Sequence, residues 1–83
     1  MPMRVVYSPQ YRSVRETLTR ATRLALEFAE QEIANDPSLG HHRRETADGA
    51  IVDFSTEDLW IRYRRLSDDV VQFERVIDLR AQG

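Results

Sequence analysis

Two segments rich in β-branched and aromatic residues, on either side of a short polar turn, most constrain what this chain can fold into. Residues 59–65 and 70–79 flank Ser67-Asp68-Asp69, and this arrangement predicts a β-hairpin. A two-stranded surface with much positive charge suggests a nucleic acid or a ribosome as a partner. The five arginines on or beside the hairpin are Arg62, Arg64, Arg65, Arg75 and Arg80.

The overall charge argues against a strongly cationic protein. The 83 residues include 12 basic side chains, all of them arginine, and 14 acidic ones, which gives a formal net charge of −2. Proteins that neutralise many phosphates usually carry a clear excess of positive charge. Any cationic patch must therefore be local. The exclusive use of arginine also weakens the argument that any one arginine was selected for bidentate binding.

The chain contains no cysteine, so it has neither a disulfide framework nor a thiolate metal site. It also has no apolar run of the length that spans a membrane. From these features we expect a cytoplasmic protein with a single domain, residues 1–83, and no cofactor. A domain of this size buries only about 60–65% of its unfolded surface. A protein partner that covers apolar surface would therefore stabilise it.

A long helical segment follows a first short strand. Residues 3–7 are apolar enough for a strand, and Ser8-Pro9 is a helix start, because serine caps free N–H groups and proline fits the first helical position. Asn35-Asp36-Pro37 ends the segment. The helix would be ~39 Å long, whereas typical strands reach only ~20–27 Å. We therefore expect a bend or a short helical hairpin near residues 18–22.

The helical segment has an apolar stripe and charged residues elsewhere. Spacings that alternate between three and four predict a buried face, made of Tyr11, Val14, Leu18, Ala21, Ala25 and Phe28, with Leu24 and Ile33 beside it. Opposite charges three and four residues apart predict a solvated face. The charged residues are Arg12, Arg15, Glu16, Arg20, Arg23, Glu27 and Glu30.

The rest of the chain predicts antiparallel strands. His41 and His42 are expected in a loop, and without a cysteine or a third histidine they predict no metal site. Asp48-Gly49 is a tight-turn dipeptide, and residues 50–54 form a strand before the hairpin. The element order is β-α(α)-β-β-β. We therefore predict an α+β fold, with an antiparallel sheet of about four strands and helix packed on one face.

Alternation along the hairpin assigns its side chains to two faces of the sheet. The face predicted to pack on the helix contains Leu59, Ile61, Tyr63, Val71, Phe73, Arg75, Ile77 and Leu79. The second face contains Trp60, Arg62, Arg64, Gln72, Glu74, Val76 and Asp78. It is either a solvated surface of cross-strand ion pairs or a site where Trp60 stacks and arginines bind phosphate or an acidic partner. The candidate RNA- or partner-binding residues are Arg43, Arg44, Trp60, Arg62 and Arg64.

Several of these motifs occur together in one order. A first strand leads into Ser8-Pro9, the helical segment ends in Asn35-Asp36-Pro37-Ser38-Leu39-Gly40, and Asp48-Gly49 precedes a hairpin that runs from Trp60-Ile61-Arg62-Tyr63 to Leu79-Arg80. In this combination the chain resembles the RelE/ParE superfamily, the toxins of bacterial toxin–antitoxin pairs. The resemblance covers nearly the whole chain and implies the same α+β fold.

The resemblance implies two kinds of activity. RelE-like members cleave mRNA in the ribosome without a metal, and basic groups stabilise the phosphate charge as the 2′-hydroxyl attacks. ParE-like members poison DNA gyrase through protein–protein contact. The cations of the nuclease branch would fall on Ile51, Asp53 and Trp60, and only Arg80 is retained. An aspartate at such a position repels the substrate by about 1–4 kcal/mol at ~4 Å near a surface.

The resemblance therefore favours a toxin-family protein that acts through macromolecular contact, directed at gyrase or the ribosome and neutralised by a cognate antitoxin. Helix-surface residues such as Arg12 and Arg15 would then determine activity. One alternative is a ribosome-dependent mRNA endonuclease with Arg80 as its catalytic residue. The other is a non-toxic interaction module.

Overall fold

The chain folds into one strand, two helices and then four further strands. A computed structural model describes residues 3–81. No helix in this range is long and apolar enough to cross a membrane. The elements are β1 (Arg4–Tyr7), α1 (Pro9–Thr17), α2 (Arg20–Asn35), a 3₁₀ turn (Pro37–Leu39), β2 (His41–Thr46), β3 (Gly49–Ser55), β4 (Leu59–Ser67) and β5 (Val70–Asp78).

The five strands form one mixed sheet in the order β1-β5-β4-β3-β2. Strands β2 to β5 follow one another through short turns and pair antiparallel, whereas β1 pairs parallel with β5. A parallel neighbour requires a long connection, and the chain between β1 and β5 comprises both helices and strands β2 to β4. The α+β class is confirmed. The sheet has five strands rather than about four, however, and it is not wholly antiparallel.

The helical segment is divided into two helices beside Thr19, where we expected a bend or a helical hairpin. The Thr19 side chain accepts a hydrogen bond from the backbone N–H of Thr22 and so caps the start of α2. Ser8 caps α1 in the same way, through the N–H of Tyr11. Each side chain satisfies an N–H group that a helix start leaves without a partner.

The break changes which face of α2 is buried. The buried residues of α2 are Thr22, Leu26, Ala29, Glu30 and Ile33. By contrast, Leu24 is 57% exposed and Phe28 is 66% exposed, and Val14 and Ala21 also face solvent. The predicted stripe assumed one uninterrupted helix of 3.6 residues per turn. Because the non-helical residues at the break change the rotation of α2, the prediction was wrong for Ala21, Leu24 and Phe28. It was also wrong for Val14, which lies in α1 before the break and is 38% exposed.

A buried carboxylate joins the two helices. Glu30 is 6% exposed. It accepts a 2.6 Å hydrogen bond from the Tyr11 hydroxyl, and its Oε2 lies 3.1 Å from Nε of Arg15. Burial, reinforced by the hydrogen bond to Glu30, raises the pKa of the Tyr11 hydroxyl well above its usual range, so it remains a donor. The prediction of a solvated position was therefore wrong for Glu30.

Aromatic side chains fill the space between the helices and the sheet. Tyr11 and Phe73 are fully buried, with ring centroids 5.3 Å apart, and Tyr7 stacks against both rings at 5.7 Å. Tyr63 is also fully buried, and its hydroxyl donates a hydrogen bond to the carbonyl of Pro37. These contacts hold α1, the 3₁₀ turn and the sheet together on one face of the sheet.

A β-bulge in β5 changes which of its side chains face the helices. The register between β4 and β5 shifts by one residue at Glu74, and such an extra residue reverses the alternation beyond it. Val76 is therefore buried, whereas Ile77 is 39% exposed. The prediction that Arg75, Ile77 and Leu79 pack on the helix was wrong, and Val76 takes that position.

β2 is an edge strand in a region where we expected a loop. His41 pairs with Asp53 and Arg44 pairs with Ile51, with one extra residue between the two pairs. His42, within this bulge, has a φ of 56°, a left-handed conformation that is uncommon outside glycine. The expectation of a histidine loop was therefore wrong. The bulge and the polar side chains of β2 protect this edge from pairing with another chain.

Removal of the buried carboxylate should destabilise the fold strongly. In Glu30→Ala the Arg15 guanidinium and the Tyr11 hydroxyl lose their shared partner, and we expect a loss of about 2–4 kcal/mol in the free energy of unfolding. Urea denaturation followed by circular dichroism measures this loss. Glu27→Ala is the control, because the exposed Glu27 contacts the same arginine at 3.5 Å. It should cost less than about 1 kcal/mol. Equal losses would contradict the role of Glu30.

Candidate interaction surface on the open sheet face

The face of the sheet opposite the helices, called the open face below, presents side chains in rows. Residues that pair directly in a sheet share a face, so the strand register defines these rows. One row crosses the sheet as Val6, Gln72, Arg64, Ile51 and Arg44; a second as Arg75, Arg62, Asp53 and His41; and a third as Ile77, Trp60 and Ser55. The structure therefore brings together four of the predicted binding residues: Arg44, Trp60, Arg62 and Arg64.

The two central arginines of the open face are paired with carboxylates. Arg62 donates from Nε to Oδ1 of Asp53 at 3.0 Å, and this hydrogen bond raises the pKa of Arg62. Arg64 Nε lies 2.6 Å from Oε1 of Glu74, and a longer contact of 3.5 Å joins Arg64 to Asp48. The interpretation as cross-strand ion pairs therefore describes the centre of this face.

Trp60 lies beside this charged centre. The guanidinium carbon of Arg62 is 5.1 Å from the centroid of the Trp60 ring, within the range of a cation–π interaction. Arg62 is therefore held by a carboxylate and by an aromatic ring. The ring is half-buried, so part of it remains available to a partner.

The proposed catalytic residue lies away from this group. Arg80 forms a bidentate ion pair with Asp58, with contacts of 2.7 and 2.8 Å, and this interaction raises the pKa of Arg80. Both residues flank the ends of the β4–β5 hairpin, beyond the row of Trp60. Arg80 is largely exposed to solvent, so Asp58 would compete with a phosphate for it, but only weakly.

The two neighbouring arginines of β2 do not share one face of the sheet. Arg44 shares the open face with Ile51, its partner in β3. Arg43 lies in the bulge, where its Nε is 2.9 Å from Glu45 Oε1. It lines a hollow with Ala50, which faces the helix side. Of the predicted pair, only Arg44 belongs to the open face.

Arg75 is a cation of the open face that the sequence-based assignment missed. The bulge at Glu74 places it beside Arg62, although simple alternation had assigned it to the helix face. Within residues 3–81 neither Arg75 nor Arg44 makes an ion pair. The two adjacent charged residues Glu74-Arg75 between Phe73 and Val76 interrupt the alternation, and this was the available signal.

The part of the chain that the structure describes contains no group of three metal-ligating side chains. The open face also combines no nucleophile with a neighbouring general base. Arg62 and Arg64 are compensated by Asp53 and Glu74, whereas Arg44 and Arg75 are unpaired within residues 3–81. This arrangement is suited to binding a partner through matched charges and the Trp60 ring.

One edge of the sheet remains without a strand. β1 covers only Val70 to Phe73 of β5, so the last residues of β5 have no strand on that side. Ser8 hydrogen-bonds the carbonyls of Phe73 and Glu74, which closes the beginning of this edge. Between the remaining edge and α1 lies a hollow of about 220 Å³, lined by Gln10, Val14, Arg75, Val76 and Ile77.

Comparison with known proteins identifies the fold. No protein-family model and no curated protein sequence matches the chain. Among solved structures, a chain of the toxin–antitoxin complex RelBE2 from Mycobacterium tuberculosis superposes with a TM-score of 0.71 and 24% sequence identity. The match covers 94% of this chain and 99% of that chain. The protein therefore has a RelE-like fold, and the fold that the sequence resemblance implied is confirmed.

Removing the compensating carboxylates should turn the open face into a binder of polyanions. Asp53→Asn with Glu74→Gln leaves Arg62 and Arg64 unpaired. We expect tighter binding of single-stranded RNA, with a salt dependence steeper by about 1.4, from two charges at about 0.7 each. Fluorescence of Trp60, the single tryptophan, measures binding at several salt concentrations.

A control variant separates this local effect from a change in net charge. Glu16→Gln with Glu27→Gln removes the same amount of negative charge from the helices, on the other side of the sheet. Its RNA affinity should stay close to that of the unmodified protein. Equal gains in the two double variants would show that net charge, rather than the open face, controls binding.

Proposed function

We propose that this chain is a RelE-like toxin that acts in the cytoplasm by binding a macromolecular target and is neutralised by a cognate antitoxin. The observation that carries the proposal is the fold, which matches a chain of a toxin–antitoxin complex over 94% of this chain and 99% of that chain. A fold alone does not determine chemistry. The mode of action is therefore argued from the side chains.

The charges of the open face favour contact over RNA cleavage. Cleavage without a metal requires cations that are free to stabilise the negative charge of the transition state. Arg44 and Arg75 are unpaired within residues 3–81, but they lie on β2 and β5, with two strands between them. Arg62 is compensated by Asp53, and Arg80 is engaged by Asp58. Arg62 and Arg80 would each first have to leave a carboxylate that competes with the phosphate. Contact with gyrase or with the ribosome needs no such release.

The helix side offers a surface for target contact. Arg12 is exposed on α1, and within residues 3–81 it makes no ion pair. Arg15, the other helix arginine considered from the sequence, is committed to the buried Glu30. Arg12 is therefore the better probe of target binding, because its substitution does not disturb the link between the helices.

The unpaired edge of β5 supports a docking site for the antitoxin. An extended segment of a partner can add to such an edge through backbone hydrogen bonds, while its side chains enter neighbouring hollows. The hollow beside this edge has apolar walls from Val14 and Ile77, both partly exposed. Arg75 lies beside them and carries a charge that would attract an acidic residue. The opposite edge is bulged and polar, so it is the poorer template.

Controlled expression in a bacterial host tests the mode of action. We expect growth arrest while mRNAs remain intact, as measured by primer extension across ribosome-occupied codons. Arg80→Ala should retain the arrest, because Arg80 has no catalytic role under this proposal. Arg12→Glu should weaken it. Arg43→Glu, a matched charge reversal on the edge strand β2, serves as the control and should leave arrest unchanged.

Two results would contradict this mode of action. mRNAs cut at ribosome-occupied codons, together with loss of cutting in a folded Arg80→Ala variant, would establish the endonuclease alternative. An absence of any growth phenotype, with no mRNA cleavage and no binding to gyrase or ribosomes, would leave the non-toxic interaction module.

Copurification tests the antitoxin and its docking edge. Expression of the native operon should yield a complex with a small protein encoded by a neighbouring gene. Val14→Asp or Ile77→Asp should weaken that complex at least about tenfold, since each places a charge in an apolar contact. Leu66→Asp is the control, because Leu66 is similarly exposed but lies near the β4–β5 turn. A complex equally affected by all three variants would not use this edge.

A further inference from the structure

The outer face of α2 presents the two most exposed large apolar side chains of the described residues. Leu24 is 57% exposed and Phe28 is 66% exposed. They are four residues apart, so they lie one above the other on the helix surface. The helix turns its buried face, with Leu26 and Ile33, toward the sheet. Leu24 and Phe28 therefore point away from the rest of the domain.

The charges that flank this pair are self-complementary. Arg20 lies four residues before Leu24, and Glu32 lies four residues after Phe28, so the four side chains form one row along the helix. Within the described residues neither Arg20 nor Glu32 makes an ion pair. The row is positive at one end, apolar in the middle and negative at the other end.

A second copy of the same helix in the antiparallel direction matches this row. In the commonest class of helix packing, rows of residues spaced by four lie alongside each other. The twofold axis then passes the outer face of α2 at the level of Leu26, midway between Leu24 and Phe28. Leu24 meets Phe28 of the second copy, and Arg20 meets Glu32 of the second copy. Such a contact is isologous and closes as a dimer. A parallel arrangement would instead place like charges together.

A hollow beside Leu24 provides a place for the aromatic ring. It has a volume of about 410 Å³ and is lined by Leu18, Arg20, Arg23, Leu24 and Glu27. Phe28 of the second copy would enter this hollow between Leu18 and Leu24, with the alkyl stems of the arginines at its sides. An aromatic anchor in a hollow of the partner is typical of the residues that dominate binding energy.

We propose that the chain forms a homodimer through antiparallel pairing of α2 helices, with Leu24 and Phe28 at its centre and Arg20–Glu32 ion pairs at both ends. The proposal concerns a surface separate from the open face and from the free β5 edge. It does not depend on whether the chain is a toxin.

Sedimentation equilibrium of the purified chain, up to its solubility limit, tests the dimer. The unmodified chain should show a monomer–dimer equilibrium, and Phe28→Ser should raise its dissociation constant at least about tenfold. Leu39→Ser, at an exposed leucine outside α2, should have no effect. Because Phe28 and Leu39 are exposed, both variants should retain the circular dichroism spectrum of the unmodified chain.

Charge exchange tests the antiparallel register. Arg20→Glu alone and Glu32→Arg alone should each weaken the dimer, since each places like charges at both ends. An equimolar mixture of the two variants should associate as a heterodimer, because every end then joins opposite charges. The double variant in one chain should restore the homodimer.

Four outcomes would overturn the proposal, and the first three concern the dimer itself. They are an unmodified chain that remains monomeric at every concentration, a dimer that Phe28→Ser leaves unchanged, and a mixture of the two charge variants that fails to associate. A monomeric chain whose Leu24 and Phe28 are instead required for binding another protein would also overturn it, and would assign this face to that protein.

Discussion

The extra residue at Glu74 is the constraint on which much of the sheet depends. Before the bulge, Phe73 packs against the helices, and after it Val76 does so. Without the bulge, Arg75 would point into the apolar core, where an unpaired charge is very costly. The bulge instead places Arg75 on the open face and turns Glu74 toward Arg64. It thereby sets both the content of the core and the charges of the candidate surface.

A second constraint is the link between the helices. α1 and α2 are short, and their relative rotation is set by the break beside Thr19 and by Glu30, which binds Tyr11 and Arg15. A buried ion pair contributes little net stability, but it fixes an arrangement because any other leaves a buried charge unpaired. This rotation directs Leu24 and Phe28 outward, so the outer face of α2 is a consequence of the interior.

The open face shows why a fold and a chemistry must be argued separately. The fold is RelE-like over nearly the full chain. The two central arginines of the sheet are nevertheless neutralised by carboxylates on the neighbouring strands, Arg62 by Asp53 and Arg64 by Glu74. Electrostatic complementarity between such a surface and its partner contributes to specificity and to the rate of association more than to affinity. A partner would have to match a pattern of alternating charge and an aromatic ring, rather than a uniformly positive groove.

The sequence by itself determined the α+β class, the hairpin and the helix start at Ser8-Pro9, because caps, turns and alternation are local properties of the chain. It also predicted a break near residues 18–22, because one straight helix would be longer than the strands it covers. The sequence did not predict that His41–Thr46 is a strand. A polar edge strand buries few side chains, so its sequence shows no alternation of apolar and polar residues. Tertiary structure alone decided the burial of Glu30 and the exposure of Phe28 and Arg75. A bulge or a helix break changes the phase of every later side chain, and only the packing of the whole domain fixes that phase.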